Sequence, residues 1–381
     1  MDIRSKEFKY KGITGRYVTA TDLELFYETL SDEFHIHIEG YSVENRAIKS
    51  VRCGTGDLKI FMWSQMHGNE STTTKAVLDL LVFLDSGTER AKTFLKRFRI
   101  VILPMVNPDG AFAYTRLNAN GVDLNRDAVA LSQPESIVLR RVFDDIKPDF
   151  AFNLHDQRTI FGVGDTKKPA TLSLLAPSYD EERGLNETRE KAMKLIVAVK
   201  EVMNNFIPSC IARFNDEFNL NCIGDYFQYR GVPTVLIEAG HAIADYEREY
   251  VRRVVFEALV VALKEFSSDG FMKYSVEEYY SIPENNKSYV DVVLKNVLDP
   301  FTGEFWAVSV MYHEVLCNNH ILFLPIITEI SKKESKFAHV CVNEELKFIE
   351  EVEVVERLIE KNALEIIDFG GLTVNHLLKK Q

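Results

Sequence analysis

Four short polar stretches interrupt apolar runs in this chain: Met66-His67-Gly68-Asn69-Glu70, Asn107-Pro108-Asp109-Gly110, Asn153-Leu154-His155-Asp156 and Ile237-Glu238-Ala239-Gly240. Each falls at or just past the end of an expected strand. Ligands of open α/β sheets bind at the carboxyl ends of the strands, so stretches distant in sequence can converge there. His67 and Glu70 are three residues apart, and at a strand-to-helix turn such a pair can face one side. An imidazole and a carboxylate so placed can grip one metal ion, with His155 from another strand end as third ligand. Two histidines and one glutamate leave a fourth position for water, the pattern of catalytic rather than structural zinc. The His67–Glu70 pair carries little weight alone: with nine histidines, roughly one such spacing is expected by chance. A lone His155 reads more readily as a satisfied core histidine. The joint placement at strand ends is what points to a metal.

Val122-Asp123-Leu124-Asn125-Arg126 adds two capacities. Asp123 can accept a hydrogen bond from the outer ring nitrogen of His67 and orient it. Asn125 and Arg126 can hold a substrate carboxylate, the arginine through a two-pronged charge-assisted contact. Taken alone, these five residues also fit a solvated loop with an ion pair. Glu238 follows Val235-Leu236-Ile237, so its carboxyl emerges from apolar surroundings, where a raised pKa suits a general base.

These residues need a scaffold that brings strand ends together. Apolar runs at Leu58–Ser64 and Phe98–Val106, with segments at Asp149–Leu154 and Pro233–Ile237, read as buried strands. Phe34–Glu39 and Ile48–Arg52 flank a turn and read as a hairpin. Helical spacing predicts helices over Ser71–Leu84, Pro134–Ile146, Asn186–Phe206 and Asp245–Phe266, the last with Asp245 as N-cap. Alternating strands and helices imply an α/β sandwich around a mostly parallel or mixed sheet. Beyond about residue 270 the texture changes. Ser275–Ser288 is polar and reads as a linker, and Tyr289–Val297, Phe305–Tyr312 and His320–Ile327 read as strands. The chain therefore divides into a catalytic domain, 1–272, and a small strand-rich accessory domain, 275–381. His313, His320, His339 and His376 are scattered through the latter and read as structural.

The set of 381 residues carries 45 Lys+Arg against 57 Asp+Glu, a net charge of −12. That balance argues against nucleic acid or an anionic membrane as partner. The apolar runs are too short to span a bilayer. The five cysteines (Cys53, Cys210, Cys222, Cys317 and Cys341) are odd in number and form no CxxC pair. With no signal peptide visible, they fit a reducing, cytoplasmic location.

Taken in order, His67-Gly68-Asn69-Glu70, Asn107-Pro108-Asp109-Gly110, Arg116, Asp123-Leu124-Asn125-Arg126, His155 and Glu238 resemble the zinc carboxypeptidase family, over about residues 20–268. The resemblance implies an α/β/α fold with a mixed, eight-stranded sheet. It implies one zinc ion per chain, held by His67, Glu70 and His155. It also implies Glu238 as general base and acid, Arg116 as oxyanion stabiliser, and Asn125 with Arg126 as the site for the substrate's C-terminal carboxylate. The expected reaction is hydrolysis of a C-terminal amide bond of a peptide.

Three departures from the family pattern stand out. Asn69 stands where many members carry a substrate-binding arginine. The stretch 215–218, where a mobile tyrosine is expected, has none; Tyr226 and Tyr229 are nearby, although packing against the sheet suits them better. His-Gly-Asn-Glu also resembles the aspartoacylase and succinylglutamate desuccinylase branch, so an N-acyl amino acid deacylase using the same zinc site is the alternative. A degenerate scaffold that binds peptide ends is a third reading, disfavoured because all ligands and the base are present. Either enzyme takes a substrate with a free C-terminal carboxylate. Gly224, before Asp225, leaves room for a large substrate side chain. Arg158, His241, Asp156 and Gln157 lie close in sequence to the site residues without an assigned role.

Overall fold

The computed structural model describes residues 7–298, 302–332, 336–342 and 346–347. In chain order the elements are α1 (Ala20–Tyr27), β1 (His35–Tyr41), β2 (Ala47–Cys53), β3 (Leu58–Ser64), α2 (Thr72–Leu84), α3 (Glu89–Arg97), β4 (Phe98–Leu103), α4 (Pro108–Ala113), α5 (Pro134–Ile146), β5 (Phe150–Asp156), β6 (Gly162–Val163), β7 (Leu172–Leu175), α6 (Glu187–Met203), β8 (Ile211–Arg213), α7 (Ile223–Tyr229), β9 (Thr234–Ala239), α8 (Glu249–Ser267), α9 (Val276–Tyr280), β10 (Asn285–Asn286), β11 (Tyr289–Leu298), β12 (Phe305–Cys317), β13 (His320–Ser331), β14 (Phe337–Val342) and β15 (Leu346–Lys347). His376 and the end of the accessory segment lie outside the described residues.

The main sheet has eight strands in the order β1-β2-β4-β3-β5-β9-β7-β8. It is mixed: β4, β3, β5 and β9 run parallel, while β1, β2 and β7 bring antiparallel pairings. Its central strands are covered on both faces, which is why they read as unbroken apolar runs. Ile60 and Met62 point into a large core with residues of α2, α6 and α8. The alternate residues Phe61 and Trp63 point into a second core with residues of α5 and α7. The architecture is thus the α/β/α sandwich expected, with eight strands. Asp79 of α2 and Arg252 of α8 form a buried ion pair at 2.6 Å that joins the two helices over the larger core.

Helix α8 begins four residues later than the sequence suggests. Arg248 occupies the N-cap position in a left-handed conformation. Asp245 caps from outside, its carboxylate accepting from Tyr250 N at 3.0 Å and Val251 N at 2.8 Å. The stretch read as a linker folds onto the body. Ser275 and Glu278 form a capping box for α9, and buried Tyr279 accepts from Ala176 N through its hydroxyl at 3.1 Å.

A separate sheet follows, in the order β13-β12-β11-β14, with β15 also pairing β11. β12 and β13 are joined at Asn318-Asn319, with φ of 48° and 63°. Two consecutive left-handed residues make the tight hairpin turn whose twist matches that of its strands, and asparagine tolerates that region best after glycine. This sheet packs on the body rather than standing off it. Tyr289 N donates to Ile160 O at 3.1 Å, and His339 Nε2 lies 2.8 Å from Thr159 O.

Candidate metal centre

Side-chain parity places the site. On β5, Phe150, Phe152 and Leu154 face the larger core, which turns Ala151, Asn153 and His155 to the α5/α7 face. On β9, Val235, Ile237 and Ala239 face the larger core, which turns Leu236 and Glu238 the other way. At the strand ends the apolar series on that face gives way to His155 and Glu238. The two are register partners on adjacent parallel strands.

His67 and Glu70 come from the turn between β3 and α2. His67 Nδ1 is 2.8 Å from Glu70 Oε1. His155 Nδ1 is 2.9 Å from Glu70 Oε2 and 3.1 Å from His67 Nδ1. Among the described residues, these three form a group whose ligand atoms all lie within 4.8 Å of one another. The donor set fits zinc. Both imidazoles turn Nδ1 toward each other and toward one carboxylate, so their donor atoms converge on one point that a cation could occupy. Two nitrogens and a carboxylate oxygen are zinc's ordinary protein donors.

The turn is shaped for this task. Gln65 has a left-handed φ of 48°, and its amide nitrogen donates to Gly68 O at 2.9 Å and Val18 O at 3.0 Å. A Cβ on Gly68 would stand 1.9 Å from the carbonyl carbon of Gly110, so only glycine lets the two backbones approach. Asn107-Pro108-Asp109-Gly110 therefore backs the metal turn instead of lining the site. Asn107 caps α4 by accepting from Gly110 N at 2.8 Å and donates to Met66 O at 3.2 Å. Asp109 is committed to Ser42, Glu44 and Arg46.

Asp123 Oδ1 is 3.1 Å from His67 Nε2, on the far side of the ring from Glu70. It also takes Arg116 Nε at 3.1 Å and the backbone N–H of Asn125 at 2.9 Å. Arg116 reaches Glu70 Oε1 at 3.3 Å, so it stands beside the candidate ligands. Asn125 accepts from Ile223 N at 2.9 Å through its side-chain oxygen. The exposed Arg126 donates to Asn125 O at 2.7 Å and contacts Cys222 Sγ at 3.1 Å. Asn125 and Arg126 therefore face the turn that leads into α7, which carries Gly224 and Asp225. A Cβ on Gly224 would come within 3.2 Å of Asn153 Nδ2 and 3.3 Å of Pro177. Asn153 and Pro177 thus close off part of the room expected beside Gly224.

The charges divide as acid–base chemistry requires. Burial alone would raise the Glu70 carboxyl, but His67 and His155 outweigh it and hold it far below the ordinary value. Glu238 moves the opposite way: burial, then the negative charges of Glu70 and Asp156, push it well above the ordinary value, with Arg116 opposing. Its Oε2 is buried without a hydrogen-bond partner. Burial pulls His67 down, yet Glu70 and Asp123 leave it raised, whereas burial wins at His155 and lowers it. Two carboxyls pushed apart in one site mark separate roles.

Asp156 is a residue whose part the sequence did not reveal. Its carboxylate accepts from Thr72 N at 2.8 Å and Thr73 N at 3.1 Å, capping α2 from a neighbouring strand. Its own N–H donates to Glu70 Oε2 at 3.1 Å. Tyr226 packs away from the centre, under the Arg140 guanidinium at 4.3 Å and bonded through its hydroxyl to Arg230 at 3.0 Å. Tyr229 is exposed. Arg158 is also exposed, and Gln157 donates to Ala170 O at 2.7 Å. His241 is buried against His339 of the accessory sheet, with ring centroids 4.3 Å apart.

This fold and this centre define a class. Residues 21–192, which include both candidate histidine ligands, match the zinc carboxypeptidase family. Glu238 lies beyond the matched residues. "Probable carboxypeptidase 2" of Arthroderma benhamiae is 31% identical over 142 residues, 35% of this chain and 26% of that protein. Cytosolic carboxypeptidase 6 of Caenorhabditis elegans is 37% identical over 68 residues, 18% of this chain and 15% of that one. The chain thus spans about a quarter or less of the length of these curated relatives. Among solved structures, a metallo-carboxypeptidase from Burkholderia cenocepacia has the same fold, at a TM-score of 0.53 and 20% identity, over 67% of this chain and 70% of that one.

Proposed function

We propose that the chain is a zinc-dependent carboxypeptidase that removes the C-terminal residue of a peptide. The observation that carries this reading is the joining of His67, Glu70 and His155 in one group beside a buried, partnerless glutamate oxygen on the neighbouring strand. One zinc ion per chain is held by those three residues. When bound, zinc supplies a Lewis acid that polarises the scissile carbonyl and makes water easier to deprotonate. Glu238 takes the proton from the attacking water through its free oxygen and passes it to the departing amine. Its raised pKa suits both transfers, since a base holding its proton too weakly would not return it. Asp123 fixes the His67 ring through Nε2, leaving Nδ1 for the metal. Arg116 donates to the oxyanion that forms as the carbonyl becomes tetrahedral, where one preorganised donor is worth about 3 kcal/mol. Asn125 and Arg126 receive the substrate's terminal carboxylate and so select chain ends over internal bonds.

The catalytic unit is placed in residues 1–272 and the strand-rich unit in 275–381, and the chain is assigned to the cytoplasm. Among the described residues no helix is long and apolar enough to cross a membrane. A zinc assay combined with hydrolysis of a free-acid peptide and its C-terminal amide tests the reading. Metal-dependent release of the last residue from the acid alone supports it. Cleavage of internal bonds, or equal cleavage of both, refutes it.

A further inference from the structure

Tyr114 ends α4 in the left-handed region, at φ 53°. That is an unfavourable place for a bulky side chain, so the surroundings must hold it there. Its ring is buried, and its hydroxyl donates to the carboxylate of Glu314 on β12 of the accessory sheet. The same carboxylate pairs with Arg16 at 3.0 Å, and the Arg16 side chain is only 5% exposed. Arg16 in turn accepts through its main-chain carbonyl from the hydroxyl of Ser71, the residue after Glu70. One carboxylate thus ties together the N-terminal segment, the strap beyond α4 and the second sheet.

Two residues past Tyr114 on that strap comes Arg116, whose guanidinium reaches Glu70 and Asp123. Its side chain is 46% exposed, so packing does not aim it; the backbone from which it springs must. We infer that Glu314 is a positioning residue for Arg116, fixing the strap through Tyr114 so that the guanidinium stands at the metal centre. The accessory sheet is then part of the catalytic apparatus. Burial pushes the Glu314 carboxyl up, but Arg16, Tyr114 and Arg248 outweigh it and leave it below its ordinary value. It therefore remains an ionised acceptor for both partners. The inference rests on the proposed role of Arg116, and its test is built to fail separately from that role.

Glu314→Gln removes the charge with little change of shape, and Tyr114→Phe removes the hydroxyl while keeping the buried ring. Each is made in the wild-type and in the Arg116→Ala background, in the full-length zinc-loaded protein. Two quantities are read: kcat and KM on a free-acid peptide, and the side-chain Nε–H NMR signal of Arg116, assigned by its loss in Arg116→Ala. In the wild-type background kcat should fall about tenfold with KM little changed, and the Nε–H signal should move toward that of a free arginine. In the Arg116→Ala background neither substitution should lower kcat further, because the residues act as one unit. The same fractional loss in both backgrounds, or an Arg116 signal unmoved by either substitution, would overturn the inference. Should Glu314→Gln not fold, Tyr114→Phe runs the same cycle. A wild-type protein that does not cleave the peptide overturns the proposed function, while the Arg116 signal still decides the link to Glu314.

Discussion

His155 and Glu238 stand opposite each other on adjacent parallel strands, in register and on the same face of the sheet. Neighbouring strands lie about 4.8 Å apart, so a candidate metal ligand and a candidate base are held at fixed separation by backbone hydrogen bonds. Neither depends on a mobile loop for its place. The sheet therefore sets the spacing between the candidate ligand and the candidate base.

Metal binding should depend unequally on the residues around it. His67→Ala should abolish stoichiometric zinc, because it removes one of three ligands. Asp123→Asn should keep the metal but weaken it about 10–100-fold, as loss of a partner to a ligating histidine generally does. Zinc content and competition with a chelator measure both. Unchanged zinc stoichiometry in His67→Ala would remove the assignment.

Glu238→Gln should retain zinc and fold while kcat falls about 10²–10⁴-fold, the usual contribution of a positioned general base. Asp156 is the other buried carboxylate nearby, but its oxygens are engaged with the first turn of α2. Near-normal turnover in Glu238→Gln would show that the base lies elsewhere.

Asp225 offers a test of stability against pH. Burial raises its carboxyl to about 7, against the opposing pull of Asn219 N–H, Arg126 and Arg189. A carboxyl whose folded pKa lies above its unfolded value is neutral in both states below the unfolded pKa. As pH rises past that value the unfolded chain ionises first, and stability falls until the folded pKa is passed. Asp225→Asn should therefore melt like wild type near pH 4 and above it at pH 8, by on the order of a few kcal/mol. Thermal melts across that range measure the gap. A gap that shrinks as pH rises would contradict the sign.

Much of the scaffold and centre was legible because it follows from local pattern. Leu58–Ser64 and Pro134–Ile146 are an apolar run and a proline-led amphipathic segment, and both form as read. His67, Glu70 and His155, read from their types and positions near strand ends, lie together, and Asp123, read from its own loop as a partner for the His67 ring, lies beside His67 Nε2. What was hidden depends on contacts across long separations. The glycine at 68 answers a backbone approach from residue 110, and nothing near either residue shows that. Asp156 caps a helix from another strand, and Glu314 reaches Tyr114 across 200 positions. Ser275–Ser288 looked like a linker because it is polar, yet its capping box and Tyr279 dock it on the body.

The most direct test of the central claim compares one peptide as its free acid and as its C-terminal amide, in wild type and in Arg126→Ala. A charged hydrogen bond lost on binding costs about 1.5–3 kcal/mol, and about 1.4 kcal/mol is tenfold in rate. The wild type should therefore show a kcat/KM at least roughly tenfold higher for the acid. Arg126→Ala should erase most of that preference by slowing the acid alone. Equal kcat/KM for acid and amide in the wild type would mean that Arg126 is structural and that the chain does not act as a carboxypeptidase.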